Sequence, residues 1–537
     1  MRRLALIVLL AACGGGSSSH DTSPIEFGAF GPLSGSAGKG SWRFGVATAA
    51  TQIEDMDTST DWYLWTGSAA GGGLGRGLAF VNQATDGYTM DLPDLDLVHE
   101  LGVDSYRFSI EWARIEPQKG VIDQDAIAHY RAELMQLASL GIHPLVTIHH
   151  FSNPVWVADP RDLGCANGPT DTNLCGLANP DGAPLIIQAM ADHAKLLAMT
   201  FGDLVDEWGT VNEPINYLLA SYGVGFFPPG VSKITDLTAF ANIVKNYLAA
   251  HAAMYQAIKQ YDTIDADGDG VAASVGMSLS VVDWEPARNH QPSTKQEDLD
   301  AKTRMDYVFH FLWVDSIING TWDSDLDGVP DEQHPEWKGT LDWLGLQYYE
   351  RAGVSAASPL IGPPLSLAPC YAGIDSGQCL PAPDPSYCVP RMGYEGWDDG
   401  IHDILTAFGA RYAGLPLVIT EAGISTDTGA RRAENIVRVL ESVARARDEG
   451  VDVRGYYHWS LTDNFEWAEG FGPHFGLYSV DYASYARTPT EGATVFGAIA
   501  SARELTTAQR TQYGGTGPMT AEAGYTPDPL CTKVPAP

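Results

Sequence analysis

Two glutamates, at the ends of apolar segments, are candidates for catalytic carboxylates. Glu213 and Glu421 each follow a short apolar, β-type segment directly, in WGTVNEP and VITEAG. A carboxylate in apolar sequence is costly to bury unless it is paired or used, so both are candidates for acid–base or nucleophilic work. Any one such residue could instead have a satisfied structural role. Further polar residues stand at or just past the ends of similar segments: Gln52, Glu54, His149, His150, Asn212, Tyr349 and Glu466.

The elements that must position these residues follow one pattern along the chain. Short apolar segments with β-type composition alternate with segments of helical period, such as 126–140, 184–201, 239–260 and 430–449. Eight segments are predicted strands: 43–47, 105–110, 144–149, 207–211, 274–280, 341–348, 417–420 and 455–459. The alternation fits a (β/α)8 TIM barrel with loop insertions, or a doubly wound sheet. The polar residues at the strand ends favour the barrel, because the C-terminal ends of all its strands lie at one face.

Five longer motifs carry a resemblance to a known family. They are FGVATAATQIED (44–55), YRFSIEWARIEP (106–117), WGTVNEP (208–214), VITEAG (418–423) and YYHWSLTDNFEWAEGF (456–471). In this set and order the chain resembles the family 1 glycoside hydrolases, which include β-glucosidases and β-galactosidases. The resemblance runs from about Trp42 to about Arg487. It implies one catalytic barrel domain, placed at residues 41–512.

The resemblance also implies roles for four residues. Glu213 matches the acid/base and Glu421 the nucleophile of a retaining enzyme, which places its two carboxylates about 5 Å apart. The acid must hold its proton while the nucleophile stays ionised. Arg107 is expected beside the nucleophile, where its charge would keep Glu421 ionised. Tyr349 is expected to donate a hydrogen bond to the nucleophile.

Sugar recognition needs polar side chains for the hydroxyls and a flat aromatic ring for the apolar face of the sugar. The resemblance assigns these contacts to six residues, with Trp459 as the aromatic platform: Gln52, His150, Asn212, Trp459, Glu466 and Trp467. Trp459 could alternatively be ordinary core. Relatives that act on 6-phosphosugars lack the carboxylate that Glu466 supplies here, so the resemblance implies a glycone without phosphate.

Four positions depart from the family pattern. Phe151 stands where Trp is usual and Gln347 where Asn is usual, while Ala422 replaces the Asn after the nucleophile and His474 replaces an Arg. None of these changes removes a catalytic carboxylate. They leave the reaction class alone and make the glycone preference open.

The expected activity is that of a retaining exo-β-glycosidase, with β-glucosidase first and β-fucosidase or β-galactosidase also plausible. The expected substrate is a β-linked oligosaccharide or an aryl or alkyl β-glycoside, and no cofactor is needed for catalysis. Two alternatives stay open: a surface-displayed sugar-binding pseudoenzyme, and a transglycosylase that uses the same residues. The aglycone depends on two long loops, 159–183 and 353–393.

The N-terminus predicts export. Residues 1–13 read MRRLALIVLLAAC, a charged start and an apolar run too short to span a membrane. The ending at Cys13 resembles a bacterial lipoprotein cleavage site, which predicts a lipid-anchored protein, periplasmic or at the cell surface; an ordinary signal peptide is the alternative. Residues 14–40 have the composition of a flexible tether. The net charge of −35 argues against nucleic acid as a partner. Contact with the membrane is expected through the lipid anchor only.

Cysteines and acidic loops predict further structure. Six cysteines remain after Cys13, and export favours disulfides, with Cys165–Cys175 the best-supported pair. Residues 513–537 are predicted to form an extended tail, with Cys531 as a possible tie. Two D-x-D-x-D-G loops have ligand spacing typical of Ca²⁺ sites, although each lacks the twelfth-position Glu of an EF-hand. A structural Ca²⁺, or simply an acidic solvent loop, is expected at Asp265, Asp267, Asp269, Asp323, Asp325, Asp327 and Asp331.

Overall fold

A computed structural model describes residues 20–371, 373–527 and 529–532. Eight parallel strands form its centre, each beginning within two residues of its predicted start: β1 Arg43–Ala47, β2 Ser105–Ser109, β3 His143–His149, β4 Glu207–Asn212, β5 Ser274–Arg288, β6 Trp343–Ser355, β7 Leu417–Ala422 and β8 Val453–Trp459. Each strand pairs with its neighbours in chain order, and β8 pairs with β1, so the sheet closes on itself. The predicted (β/α)8 TIM barrel is confirmed.

Helices pack around the barrel in each connection: α1 Gly87–Glu100, α2 Gln124–Leu140, α3 Ala183–Phe201, α4 Leu237–Tyr261, α5 Gln296–Asp306, α6 Leu312–Asn319, α7 Gly400–Arg411, α8 Gly429–Asp448 and α9 Glu491–Ala502. A π turn, Tyr307–Phe311, joins α5 to α6. The ends are marked in the sequence: Asp123 caps α2 by accepting from two backbone N–H groups, and Gly141 ends it with a φ of 72°. Within the described residues, no helix is long and apolar enough to cross a membrane.

Shorter elements lie in the loops. The short helices are Ala50–Ile53, Asp61–Thr66, Ala69–Gly71, Trp112–Ile115, Pro214–Leu218, Leu219–Gly223, Pro385–Tyr387, Trp467–Glu469, Thr507–Tyr513 and Pro529–Thr532. The short strand pairs are Ile25–Glu26 with Glu504–Leu505, Thr321–Trp322 with Glu332–Gln333, and Tyr478–Asp481 with Ala486–Pro489. The strand Gln291–Pro292 pairs antiparallel with the end of β5, and the strand Ala368–Pro369 pairs antiparallel with the end of β6.

β5 and β6 are longer than predicted. They pair inside the barrel, shift register after Tyr348, and pair again from Arg351–Asp283 to Val354–Pro286. The second stretch stands beyond the rim as a two-stranded arm, formed by residues 283–288 and 351–355. Apolar residues such as Trp284 and Val354 are buried there, which is why the strands do not end at the rim.

The predicted tether differs from the structure over residues 20–40. Residues 25–42, here called the floor segment, pack under the N-terminal ends of the barrel strands. Leu33 is buried with residues of the barrel interior, and its carbonyl accepts from Arg454 at the start of β8. Arg43, at the start of β1, donates to the Gly31 carbonyl at 2.7 Å. Small residues suggested a flexible linker, but the apolar side chains among them fix the segment. Residues 1–19, including Cys13, lie outside the described part of the chain.

Three disulfides are present among the described residues, and Cys165–Cys175 is the predicted one. The others join Cys370 to Cys379 and Cys388 to Cys531. The last of these ties the C-terminal residues to the loop before α7. Met519 in the same tail is buried against Tyr387 and Val389, so the tail is packed along the barrel over this stretch.

Candidate active site

Glu421 stands at the C-terminal end of β7, held by three side chains from other strands. Arg107 of β2 donates to its Oε1 at 2.5 Å, and the Gln347 amide of β6 donates to the same oxygen at 2.8 Å. The Tyr349 hydroxyl donates to Oε2 at 2.7 Å. Each donor lies on a strand of the barrel, so the closed sheet itself brings them together. The carboxylate is buried and fixed from two sides.

Asn212 links the two halves of this site. Its Oδ1 accepts from Arg107 at 2.5 Å and from the Gln347 amide at 2.7 Å. Because its oxygen is occupied, the amide nitrogen of Asn212 is left without a hydrogen-bond partner among the described residues. An N–H donor at this place, next to Glu213 in sequence, suits a substrate hydroxyl.

Glu213 follows Asn212 directly and has a left-handed backbone, with φ 38° and ψ 60°. A non-glycine residue in this region is strained, and such strain concentrates at functional sites. Its carboxylate is buried and accepts from the Asn216 amide at 3.0 Å. Asn216 lies on the short helix Pro214–Leu218, which starts immediately after the glutamate.

The two carboxylates have different electrostatic surroundings. The pKa of Glu213 is raised to about 8, first by burial and then by the negative charge of Glu421. Burial also raises the pKa of Glu421, but the charge of Arg107 and the Tyr349 hydroxyl act against it. We conclude that a shared proton belongs on Glu213, since the cation and the hydroxyl donor are both on Glu421. One protonated acid and one ionised carboxylate can therefore face the same pocket.

Gln52 and Glu466 lie on another side of the pocket. The Gln52 amide donates to the Phe465 carbonyl at 2.9 Å, to Asn464 at 3.1 Å and to Glu466 at 3.4 Å. Its Oε1 is buried and has no partner among the described residues. Burial, then the charge of Glu421, raises the pKa of Glu466 to about 8. A polar ligand could supply hydrogen bonds to both groups, the Oε1 atom of Gln52 and the carboxyl of Glu466.

Aromatic rings complete this side. The His150 ring lies parallel to both Trp459 and Trp467, with centroids 6.1 Å and 6.0 Å away. Within the described part of the chain, His150 Nδ1 is buried without a hydrogen-bond partner, and burial lowers the His150 pKa well below its usual value, so the ring is neutral. Trp467 also contacts Phe151, at 5.2 Å between centroids. All six residues predicted to contact sugar are thus at the C-terminal end of the barrel.

Several polar residues that the sequence brought forward are structural. Glu54 pairs with Arg114 and accepts from Tyr130, and His149 contacts Tyr247 and Asn153. Among the four departures from the family pattern, Gln347 contacts Glu421. Asn216, whose side chain contacts Glu213, was not predicted from the sequence. The motif showed that Gln347 is unusual but did not show that its side chain reaches Glu421. For Asn216, its position three residues after Glu213 was the signal that could have predicted the contact. His474 pairs with Asp427, and Ala422 is buried in the core.

The two acidic loops differ from the predicted ligand sets. In the first, the carboxylates of Asp265 and Asp267 lie within 4.8 Å of Asp206, while Asp269 instead caps Val271. In the second, Asp323, Asp325 and Asp327 lie together, while Asp331 accepts from Ser324. The carboxylates of both turns also accept from backbone N–H groups, as Asp265 does from Gly268 and Asp323 does from Gly328.

Comparison with known proteins agrees with this geometry. Residues 39–505 match the family model of "Glycosyl hydrolase family 1". A β-galactosidase of Pyrococcus woesei is 29% identical over 83% of this chain and 94% of its own length. A bifunctional β-D-glucosidase/β-D-fucosidase of Bifidobacterium breve is 30% identical over 83% of this chain and 94% of its own. The solved β-glycosidase from Pyrococcus horikoshii superposes with a TM-score of 0.71 at 28% identity, covering 90% of this chain and 99% of that one. The chain therefore belongs to glycosyl hydrolase family 1 and is a glycoside hydrolase.

Proposed function

We propose that this enzyme is a retaining exo-β-glycosidase that releases terminal β-D-glucosyl residues, and also β-D-fucosyl or β-D-galactosyl residues. One observation carries the proposal: the buried pair in which Glu213 has a pKa raised to about 8 while Arg107 and Tyr349 hold Glu421. Retaining hydrolysis needs one carboxylic acid and one carboxylate, and this site distinguishes the two. The names of the relatives span all three sugars, which supports a pocket tolerant at the glycone.

In the first step, Glu421 attacks the anomeric carbon and the Glu213 carboxyl gives its proton to the leaving oxygen. The aglycone departs, and the sugar is bound covalently to Glu421. Without its charge, Glu421 no longer raises the Glu213 pKa, so Glu213 is free to ionise and act as base. In the second step it takes a proton from water, the water oxygen attacks the anomeric carbon, and Glu421 leaves.

The glycone is proposed to lie against Gln52, Glu466 and the His150–Trp459–Trp467 rings. Gln52 Oε1 can accept from a hydroxyl, and Glu466 can accept from two neighbouring hydroxyls. A phosphate on this part of the sugar would lie against a carboxyl in a buried pocket. A neutral glycone therefore fits this side best.

The test is release of nitrophenol from 4-nitrophenyl β-D-glucoside, β-D-galactoside and β-D-fucoside, with Glu213→Gln and Glu421→Gln beside the parent. We expect activity that falls by about 10⁴-fold or more in Glu421→Gln. Glu213→Gln should retain more activity on the activated nitrophenyl leaving group than on cellobiose, since nitrophenolate departs with less protonation. Folded parent that turns over none of these substrates would contradict the proposal and favour a sugar-binding role. Products longer than the substrate would identify a transglycosylase.

Two proposals concern the rest of the chain. Cys13 is proposed to carry the lipid of an exported, membrane-anchored lipoprotein; Cys13→Ala should move the enzyme from the membrane to the soluble fraction. If an ordinary signal peptide is present instead, Cys13→Ala will leave fractionation unchanged. The acidic loops at Asp265 and Asp323 are proposed to bind structural Ca²⁺, since each gathers three carboxylates.

A further inference from the structure

The two-stranded arm beyond the barrel rim carries a disulfide-closed loop. After β6, the strand Ala368–Pro369 pairs back onto the arm, antiparallel to Val354 and Ser355. Cys370 follows, donates its N–H to the Gly353 carbonyl at 2.8 Å, and is bonded to Cys379. The next residue is Tyr371. The sheet on one side and the disulfide on the other therefore fix the backbone at this tyrosine.

The ring of Tyr371 is fixed as well. It packs against Trp284 of the arm and Phe309 of the π turn, with centroids 5.7 Å and 5.6 Å away. Such aromatic contacts hold a ring in one orientation. The hydroxyl then points into the barrel, where it donates to Asn216 Oδ1 at 2.6 Å.

Asn216 passes this contact on to Glu213. Its Nδ2 donates to Glu213 Oε2 at 3.0 Å and to Ser280 Oγ at 2.9 Å. The Tyr371 hydroxyl donates to Oδ1 and so favours the orientation in which Nδ2 faces the glutamate, because a flipped amide would take away the acceptor of the hydroxyl hydrogen. Among the described residues, Asn216 is the one hydrogen-bond donor found on the Glu213 carboxylate.

We infer that Tyr371 is a positioning residue for the reaction, which acts through Asn216 to set when Glu213 gains and loses its proton. The inference rests on the proposed role of Glu213 as acid/base. It makes a loop outside the barrel, closed by Cys370–Cys379, part of the acid/base machinery.

The direction of the effect follows from the hydrogen bond. An N–H donor on Glu213 favours the ionised form, and it opposes the burial and the Glu421 charge that raise the pKa of Glu213. If the hydroxyl is lost, the amide can turn its oxygen toward Glu213, which favours the protonated acid. Loss of Tyr371 control therefore raises the pKa. The other charged or titratable groups that face this region are Glu421, Glu466, Arg107, Tyr349, Tyr394 and Glu350, whose charge also acts on Tyr371.

The test compares pH profiles of kcat/KM for Tyr371→Phe and the parent on 4-nitrophenyl β-D-glucoside. Phe keeps the ring contacts, so the fold should hold, which a melting curve checks. We expect the basic limb to move up by about half to one pH unit, the shift equivalent to one ordinary hydrogen bond. Tyr255→Phe is the matched control: its hydroxyl, on α4, donates to Asp342 at 2.8 Å, and the basic limb of this variant should stay at the parent position.

Asn216→Ala supplies the second variant. It should raise the basic limb as well, and adding Tyr371→Phe to it should change nothing further, because the tyrosine acts through the amide. The Cys370→Ser/Cys379→Ser double variant should shift the limb in the same direction. The inference would be overturned if the parent is active and the basic limb is unmoved in Tyr371→Phe. Additive shifts when Tyr371→Phe is combined with Asn216→Ala would overturn it as well. An inactive parent would instead overturn the proposed function.

Discussion

The side-chain amide of Gln347 lies 2.8 Å from Oε1 of Glu421. It also lies 2.7 Å from Asn212, so one residue bridges the carboxylate of β7 and the amide of β4. The extra methylene of Gln relative to Asn gives it that reach. A position that departs from the family pattern thus has a direct contact with the candidate nucleophile.

Gln347→Asn should therefore lower activity. The shorter side chain draws the amide back from Glu421, and losing a hydrogen bond to a charged group weakens kcat/KM about 10-fold or more. The measurement is kcat/KM on 4-nitrophenyl β-D-glucoside, with a melting curve to separate misfolding. A variant as active as the parent would mean that the bridge plays no part in catalysis.

Arg107→Met should raise the pKa of Glu421, because the guanidinium is the main group that opposes the effect of burial there. The acidic limb of the kcat/KM profile, which reports the ionised nucleophile, should move to higher pH. The rate should fall about 100-fold or more, since Arg107 also holds Asn212. Arg351→Met is the control: Arg351 pairs with Glu395, outside the site. A limb that stays in place in Arg107→Met contradicts this account.

Glu213 should make stability depend on pH. Its pKa is near 4.5 when exposed and about 8 in the folded enzyme, so its contribution is fully present below pH 4.5 and lost as the pH rises through 8. Glu213→Gln cannot ionise and should melt higher than the parent by a margin that grows from pH 5 to pH 8.5, to about 2–4 °C. Glu26→Gln, an exposed position, should show a constant difference. A margin independent of pH would refute the raised pKa.

The Cys388–Cys531 disulfide should stabilise the fold strongly. It closes a loop of 143 residues, for which chain entropy predicts about 5 kcal/mol at most. Cys388→Ser/Cys531→Ser should lower Tm by about 3–5 °C. Cys165→Ser/Cys175→Ser opens a loop of ten residues and should cost less. Equal losses would indicate that strain or local packing, not loop length, decides the effect.

Calcium binding can be tested within one loop. We expect two Ca²⁺ per parent chain in equilibrium dialysis, and a lower Tm after chelation. Asp267→Asn should bind one ion, while Asp269→Asn should keep both, because Asp269 is not grouped with Asp206 and Asp265. No bound ion in the parent, or the same loss in both variants, would rule out this site.

The sequence predicted the barrel and located the candidate pair, Glu213 and Glu421, because both depend on local signals. Strand β7 and Glu421 occupy adjacent residues, so finding one located the other. Contacts between distant segments gave no such signal. The reach of Tyr371 to Asn216 crosses 155 residues and depends on an arm whose length no periodicity revealed. The floor segment was misread for a related reason: its small residues suggest a tether, and only the barrel interior shows where Leu33 goes.

The floor segment also gives the enzyme an orientation. It lies at one end of the barrel, and the Glu213–Glu421 pocket opens at the other. If Cys13 carries a lipid, the seven residues from there to His20, which pairs with Glu441, reach at most about 25 Å. The floor would then face the bilayer and the pocket would face the surrounding water. Sugars that diffuse in from solution would reach the site on the side away from the membrane, whereas headgroups of the supporting membrane would lie on the far side of the barrel.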